Sequence, residues 1–246
     1  AWHSIQTIQQ EEPMTGEMTK IASGDGGEFG VYLSKPSSGS GPGVVMIQEI
    51  FGITPWLKEI ADEFAGQEYV VIVPDFFWRL EPGFVADPAN ESDLAKGFQY
   101  RSELDHRKAV EDVDSCLGAL KAIPECNGKV TVLGFCLGGT FAYLASIRLQ
   151  IDAAVSYYGT QIHGYLEEAA MVSCPLLLHM AEQENNYTME DTGRIQKALG
   201  DGPNVTLHMY DAGHAFANSS RADKFNKAAA EKAHERTFNF LQRLQD

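Results

Sequence analysis

The chain has 246 residues, 44% of them apolar, and carries 19 Lys+Arg against 34 Asp+Glu for a net charge of −15. A chain of this size and make-up is expected to be globular and to bury a core without disulfide or metal staples. The acidic balance disfavours nucleic acid, whose phosphates demand a basic footprint, and it disfavours anionic membrane surfaces. Residues 1–16 read as an N-terminal extension to one domain covering the rest of the chain. They show no basic start followed by an apolar stretch, so no signal peptide is expected and the compartment is read as cytoplasmic. No apolar run approaches the ~20 residues of a membrane span.

Residues 17–34, with GDGG near the middle, predict a β-hairpin. Residues 44–48 (VVMIQ), 69–73 (YVVIV), 129–135 (KVTVLGF), 153–157 (AAVSY), 175–180 (PLLLHM) and 205–210 (VTLHMY) are short apolar runs without strict alternation. Such runs fit strands buried on both faces. Helices are expected between them. Residues 55–67 follow Thr54 as N-cap and begin with Pro55, and Trp56, Leu57, Ile60, Ala61 and Phe64 form an apolar stripe. Residues 102–122 carry a stripe at Val110, Val113, Leu117 and Leu120. Residues 140–149 are apolar nearly all round, and 221–244 form a long charged amphipathic helix. Strand–helix alternation predicts an α/β fold with a mainly parallel sheet and helices on both faces.

Two motifs carry chemistry. Gly134-Phe135-Cys136-Leu137-Gly138 closes a predicted strand and opens a buried helix. A sharp strand-to-helix turn needs small residues two positions either side of a raised nucleophile, here a thiol. The helix N-terminus favours its thiolate. His214, in Asp211-Ala212-Gly213-His214, follows the last predicted strand and comes after the nucleophile in chain order, as the base of an α/β-hydrolase does. The acid should lie after the PLLLHM strand, where Glu182 and Glu184 both qualify. The other cysteines, Cys116, Cys126 and Cys174, have no pairing or ligand spacing and read as reduced thiols.

Taken with Gln48-Glu49-Ile50-Phe51-Gly52, Pro74-Asp75, Arg79-x-x-Pro82-Gly83, Tyr157-Tyr158-Gly159, Gly213-His214-x-Phe216 and Glu235-Arg236-Thr237-x-x-Phe240-Leu241, these motifs resemble the dienelactone hydrolases. Those are carboxymethylenebutenolidases of the α/β-hydrolase fold, and the resemblance runs from about residue 17 to the C-terminus. It implies Cys136 as nucleophile, His214 as base, Glu184 as triad acid and Glu49 as an internal carboxylate that helps deprotonate the thiol. It also implies the backbone N–H groups of Leu137 and Ile50 as oxyanion donors, and no cofactor or metal. The family's two substrate-binding arginines correspond in this reading to Arg79 and to Asn218. Two departures follow: Glu184 stands where Asp is usual, and Asn218 replaces a bidentate cation, with Arg221 nearby.

The expected activity is hydrolysis of a small lactone or ester through a thioester intermediate, on a dienelactone-like substrate. The alternatives are a different ester or lactone, or a catalytically silent binding domain. Four Asn-x-Ser/Thr sequons, at Asn90, Asn186, Asn204 and Asn218, are read as chance occurrences. Two of them flank the proposed acid and base.

Overall fold

The computed structural model describes residues 16–37, 39–200 and 202–244. The expected extension over residues 1–16 lies almost wholly outside the described residues.

The hairpin forms as β1 (Glu17–Ala22) and β2 (Glu28–Ser34), antiparallel. Six further strands follow: β3 (Gly41–Ile47), β4 (Val70–Pro74), β5 (Cys126–Phe135), β6 (Ala153–Tyr157), β7 (Leu176–Gln183) and β8 (Val205–Gly213). All eight join one sheet in the order β1-β2-β4-β3-β5-β6-β7-β8. β3 to β8 run parallel, and only the β1–β2–β4 pairings are antiparallel. Every residue of β3, β4 and β6 is buried, as their unbroken apolar sequence requires.

Helices cover both faces. On one face α1 (Pro55–Gly66) and α6 (Lys227–Gln242) pack on Val44, Met46, Val71, Leu133 and Val155. On the other, α3 (His106–Ala122), α4 (Leu137–Arg148) and α5 (Met189–Leu199) pack on Val45, Ile47, Ile72 and Val132. The Thr54 cap forms as expected, its side chain accepting from Leu57 N–H.

Five elements differ from the sequence reading. Helix α2 (Glu91–Glu103) precedes α3, and the helix expected over 102–122 in fact begins at His106. The chain breaks at Leu104 and Asp105, because the Asp105 carboxylate caps the next helix by accepting from Arg107 and Lys108 N–H. Helix α5 and a 3₁₀ segment, Ile162–Met171, also went unforeseen. The last helix starts six residues later than expected, at Lys227, capped by Asn226.

The strand order places the site. From β3 the chain moves outward to β4, then returns to β5 on the other side of β3. A crevice opens at such a reversal, beyond the carboxyl ends of the strands. Glu49 and Ile50 leave β3 there, and Cys136 leaves β5 beside them. No helix among the described residues is long and apolar enough to cross a membrane.

Candidate active site

The elbow is built by steric necessity. A Cβ on Gly134 would lie 2.1 Å from the Gly138 carbonyl oxygen, and one on Gly138 would lie 2.3 Å from that of Ile47. Only glycine admits these approaches. Between them Cys136 takes φ 56°, ψ −112°, a conformation few side chains adopt. Its N–H donates to Tyr157 O at 3.0 Å, and that of Gly138 to Gln48 O at 3.1 Å, stitching the elbow to β6 and to the end of β3. Leu137 is the first residue of α4, so its N–H has no intrahelical acceptor.

The β7–β8 register supplies the acid and the base. After an irregularity beyond Ala181, Gln183 pairs with Gly213, so the next residues, Glu184 and His214, leave the sheet side by side. His214 Nδ1 lies 2.8 Å from Glu184 Oε2, and Nε2 lies 3.1 Å from Cys136 Sγ. Glu184 Oε1 accepts from the backbone N–H of Asn185 and Asn186 and from the Asn186 amide, each at 2.8 Å. Of the two carboxylates the sequence left open, Glu184 meets His214, whereas Glu182 is exposed at the end of β7. The extra methylene of Glu relative to Asp is accommodated by this turn, which pins one carboxylate oxygen and presents the other.

The electrostatics follow from these contacts. Burial opposes a charge on His214, but Cys136 and Glu184, one at each ring nitrogen, outweigh it and push its pKa up to about 10. Burial likewise opposes the Glu184 charge, yet His214 and Asn186 hold its pKa below the usual carboxylate value.

Glu49 is 3% exposed, and burial raises its pKa. His214, Asn218, Arg221 and Tyr158 pull in the opposite direction. Its Oε2 accepts from the Asn218 amide at 2.7 Å. Gln48 fixes the backbone there, donating to Glu49 O at 3.2 Å and accepting from Phe76 N–H at 3.1 Å. Asn218, expected to touch substrate, is instead 2% exposed and serves Glu49, while its Oδ1 accepts from Ser220 N–H and Oγ.

Tyr158 was quoted from the sequence only as part of a motif. It packs edge-on to His214 with ring centroids 5.1 Å apart and sits at φ 40°. Its phenol pKa is pushed well up by burial first, then by Glu49 and Cys136. The hydroxyl is within electrostatic reach of Glu49, but no well-formed hydrogen bond joins it to Oε1.

The structure corrects the reading of Arg79. Its guanidinium is held by Asp112, with Nη2 also 2.9 Å from Asp25 Oδ1 and 3.2 Å from Ser23 Oγ, and it stacks 4.2 Å over Trp78. It pins the β1–β2 turn to α3 and lines a cavity of about 220 Å³ with Phe76, Leu80, Glu103, Leu104, Asp105 and Lys108. None of Cys136, His214 and Glu184 lines that cavity, and both terminal nitrogens of the Arg79 guanidinium are committed to carboxylates. Arg221 stays close to the site, 5.6 Å over Phe51 and paired with Asp223 at 3.3 Å. The amides of Asn186 and Asn218 are both committed to carboxylates, which fits the reading of those sequons as chance.

A doubly wound sheet with a strand-to-helix elbow at its switch point is the α/β-hydrolase fold. A dienelactone hydrolase-like promiscuous phosphotriesterase from metagenomic libraries shares it at TM-score 0.76 and 21% identity, over 94% of this chain and 99% of that one. A Pyrococcus furiosus esterase does so at TM-score 0.70 and 15% identity, over 93% and 92%. The dienelactone hydrolase family model matches residues 29–245. Carboxymethylenebutenolidase 1 of Cupriavidus pinatubonensis is 33% identical over 95% of this chain and 99% of its own length. Carboxymethylenebutenolidase of Pseudomonas sp. is 34% identical over 94% and 97%. The chain belongs to the dienelactone hydrolase family and is a carboxylic ester or lactone hydrolase.

Proposed function

We propose that the chain hydrolyses a small lactone of the dienelactone type through a Cys136–His214–Glu184 triad and a thioester intermediate. The observation that carries this reading is His214 bridging Cys136 Sγ at 3.1 Å and Glu184 at 2.8 Å. The carboxymethylenebutenolidases it resembles support the substrate class. The thiol proton passes to His214, directly or by way of Glu49, a buried carboxylate of raised pKa being a competent relay near neutrality. The sulfur attacks the lactone carbonyl, and Leu137 and Ile50 N–H stabilise the oxyanion. The ring C–O bond breaks, and the departing oxygen takes its proton from His214. Water, deprotonated by His214, then cleaves the thioester, releasing the acid and the thiol.

The test is lactone hydrolysis by wild type and by Cys136→Ala, with acid-quenched intact mass spectrometry. We expect the substrate mass to appear on Cys136 in wild type and turnover to vanish in the variant. Full activity in Cys136→Ala would exclude the thioester.

A further inference from the structure

Helix α2 was not foreseen from the sequence, yet it packs against the loop that leaves β3 at the crevice. A Cβ on Gly97 would come within 2.6 Å of Ile50 O, so α2 abuts the turn that carries one expected oxyanion donor. One turn further on, at i+4 and hence on the same helix face, stands Arg101. Its Nη1 donates to Asn186 Oδ1 at 3.4 Å, and the amide of that residue holds Glu184. The face of α2 running from Gly97 to Arg101 therefore touches the loop after β3 at one end and, at the other, the residue whose amide holds Glu184.

Among the described residues three arginines, Arg101, Arg236 and Arg243, hold no carboxylate; Arg236 stacks over Tyr210 and Arg243 donates to Asn239 O, which leaves Arg101 as the one beside the residue that holds Glu184. Arg79, Arg107, Arg148, Arg194 and Arg221 each hold a carboxylate. Among the described residues none is within ion-pair distance of Arg101. Its guanidinium is half-buried, lies 5.8 Å from the Phe98 ring, and makes one long hydrogen bond to a neutral amide. A guanidinium carries five donors, so most of its fork is unspent.

We propose that Arg101 is a specificity-determining residue that binds an anionic group, a carboxylate, borne by the substrate next to its scissile carbonyl. The proposal rests on the reading of Cys136 as nucleophile. It also answers the charge problem: on a chain of net charge −15, an anion needs a local cation to enter. Arg79 is spent on Asp112, and Asn218 on Glu49.

Two measurements test it, one without turnover. Alkylation rates of Cys136 by iodoacetate, an anion, and by iodoacetamide, its neutral counterpart, are read by peptide mass spectrometry in wild type, Arg101→Gln and Arg101→Lys. The iodoacetate-to-iodoacetamide ratio is expected to fall about tenfold in Arg101→Gln and to recover in part in Arg101→Lys, which restores charge but not the fork. In parallel, kcat/KM is measured for a carboxylate-bearing lactone and its methyl ester. Arg101→Gln is expected to lose about 10- to 100-fold on the acid, mostly through KM, and little on the ester. An unchanged alkylation ratio, or equal losses on acid and ester, would overturn the proposal. Absence of turnover in wild type would instead defeat the proposed function, and the alkylation ratio would still decide the role of Arg101.

Discussion

Replacing Asn218 by Asp isolates the role of Glu49. The substitution keeps side-chain size and keeps an oxygen for Ser220 N–H and Oγ, so the turn after His214 is preserved. It converts the amide that donates to Glu49 Oε2 at 2.7 Å into a second carboxylate. Two unit charges at that separation repel by about 6 kcal/mol at an effective dielectric near 20. At ~1.4 kcal/mol per pH unit, that is enough to make the pair hold one proton through neutrality. Relaxation returns part of it, so the acid limb of kcat/KM against pH should move up by at least about two units, with rates well down that limb falling about 100-fold. Initial rates of lactone hydrolysis from pH 5 to 9 measure this, with thermal melting to confirm folding. A profile that overlays wild type would show that Glu49 accepts no proton in the rate-determining sequence.

Glu184→Gln should lower kcat by about 10²–10⁴-fold, since the amide cannot stabilise the imidazolium, while Glu182→Gln should leave it unchanged; steady-state rates of the two variants decide between the carboxylates. Stability should also depend on pH through His234, which packs on Tyr157 and whose pKa burial draws down to about 4. The unfolded chain takes up this proton near pH 6.5 and the folded chain only near 4, so stability is complete above 6.5 and declines as pH falls to 4. That contribution is at most about 3 kcal/mol, and denaturant midpoints of His234→Gln should change less than those of wild type over this window.

The sheet was legible because its inner parallel strands, β3, β4 and β6 throughout and β5 and β7 over most of their length, are buried on both faces and therefore spell apolar runs, while β8 at the sheet edge is only partly buried. β6 matched its predicted residues, and β3, β4, β5, β7 and β8 differed only at their ends. Helix α2 escaped because it buries only Gly97 and Tyr100 and so lacks a stripe, although Asn90 accepting from Ser92 and Asp93 N–H marks its start. Helix α5 went unforeseen although a capping box of Thr188 and Asp191 marks its start. The elbow and His214 could be read because their chemistry demands local motifs. The fate of Arg79 could not, since Asp112 lies 33 residues away and only the fold brings the two together. Asn218 likewise meets a carboxylate 169 residues earlier in the chain.

Four non-glycine residues among those described have positive φ, and three of them, Cys136, Tyr158 and Ala215, crowd around this site. At ~1–3 kcal/mol each, they consume a sizeable share of the ~5–15 kcal/mol that holds a domain folded. The crevice is thus an opponent of the fold as well as its product. Stability screens that ignore turnover would be drawn to these positions, and glycine at Cys136 would be rewarded with a higher melting temperature in a protein that has lost its thiol. For anyone hardening this scaffold, these three residues mark where robustness and chemistry trade against each other, and the gains should be sought on the remote helices instead.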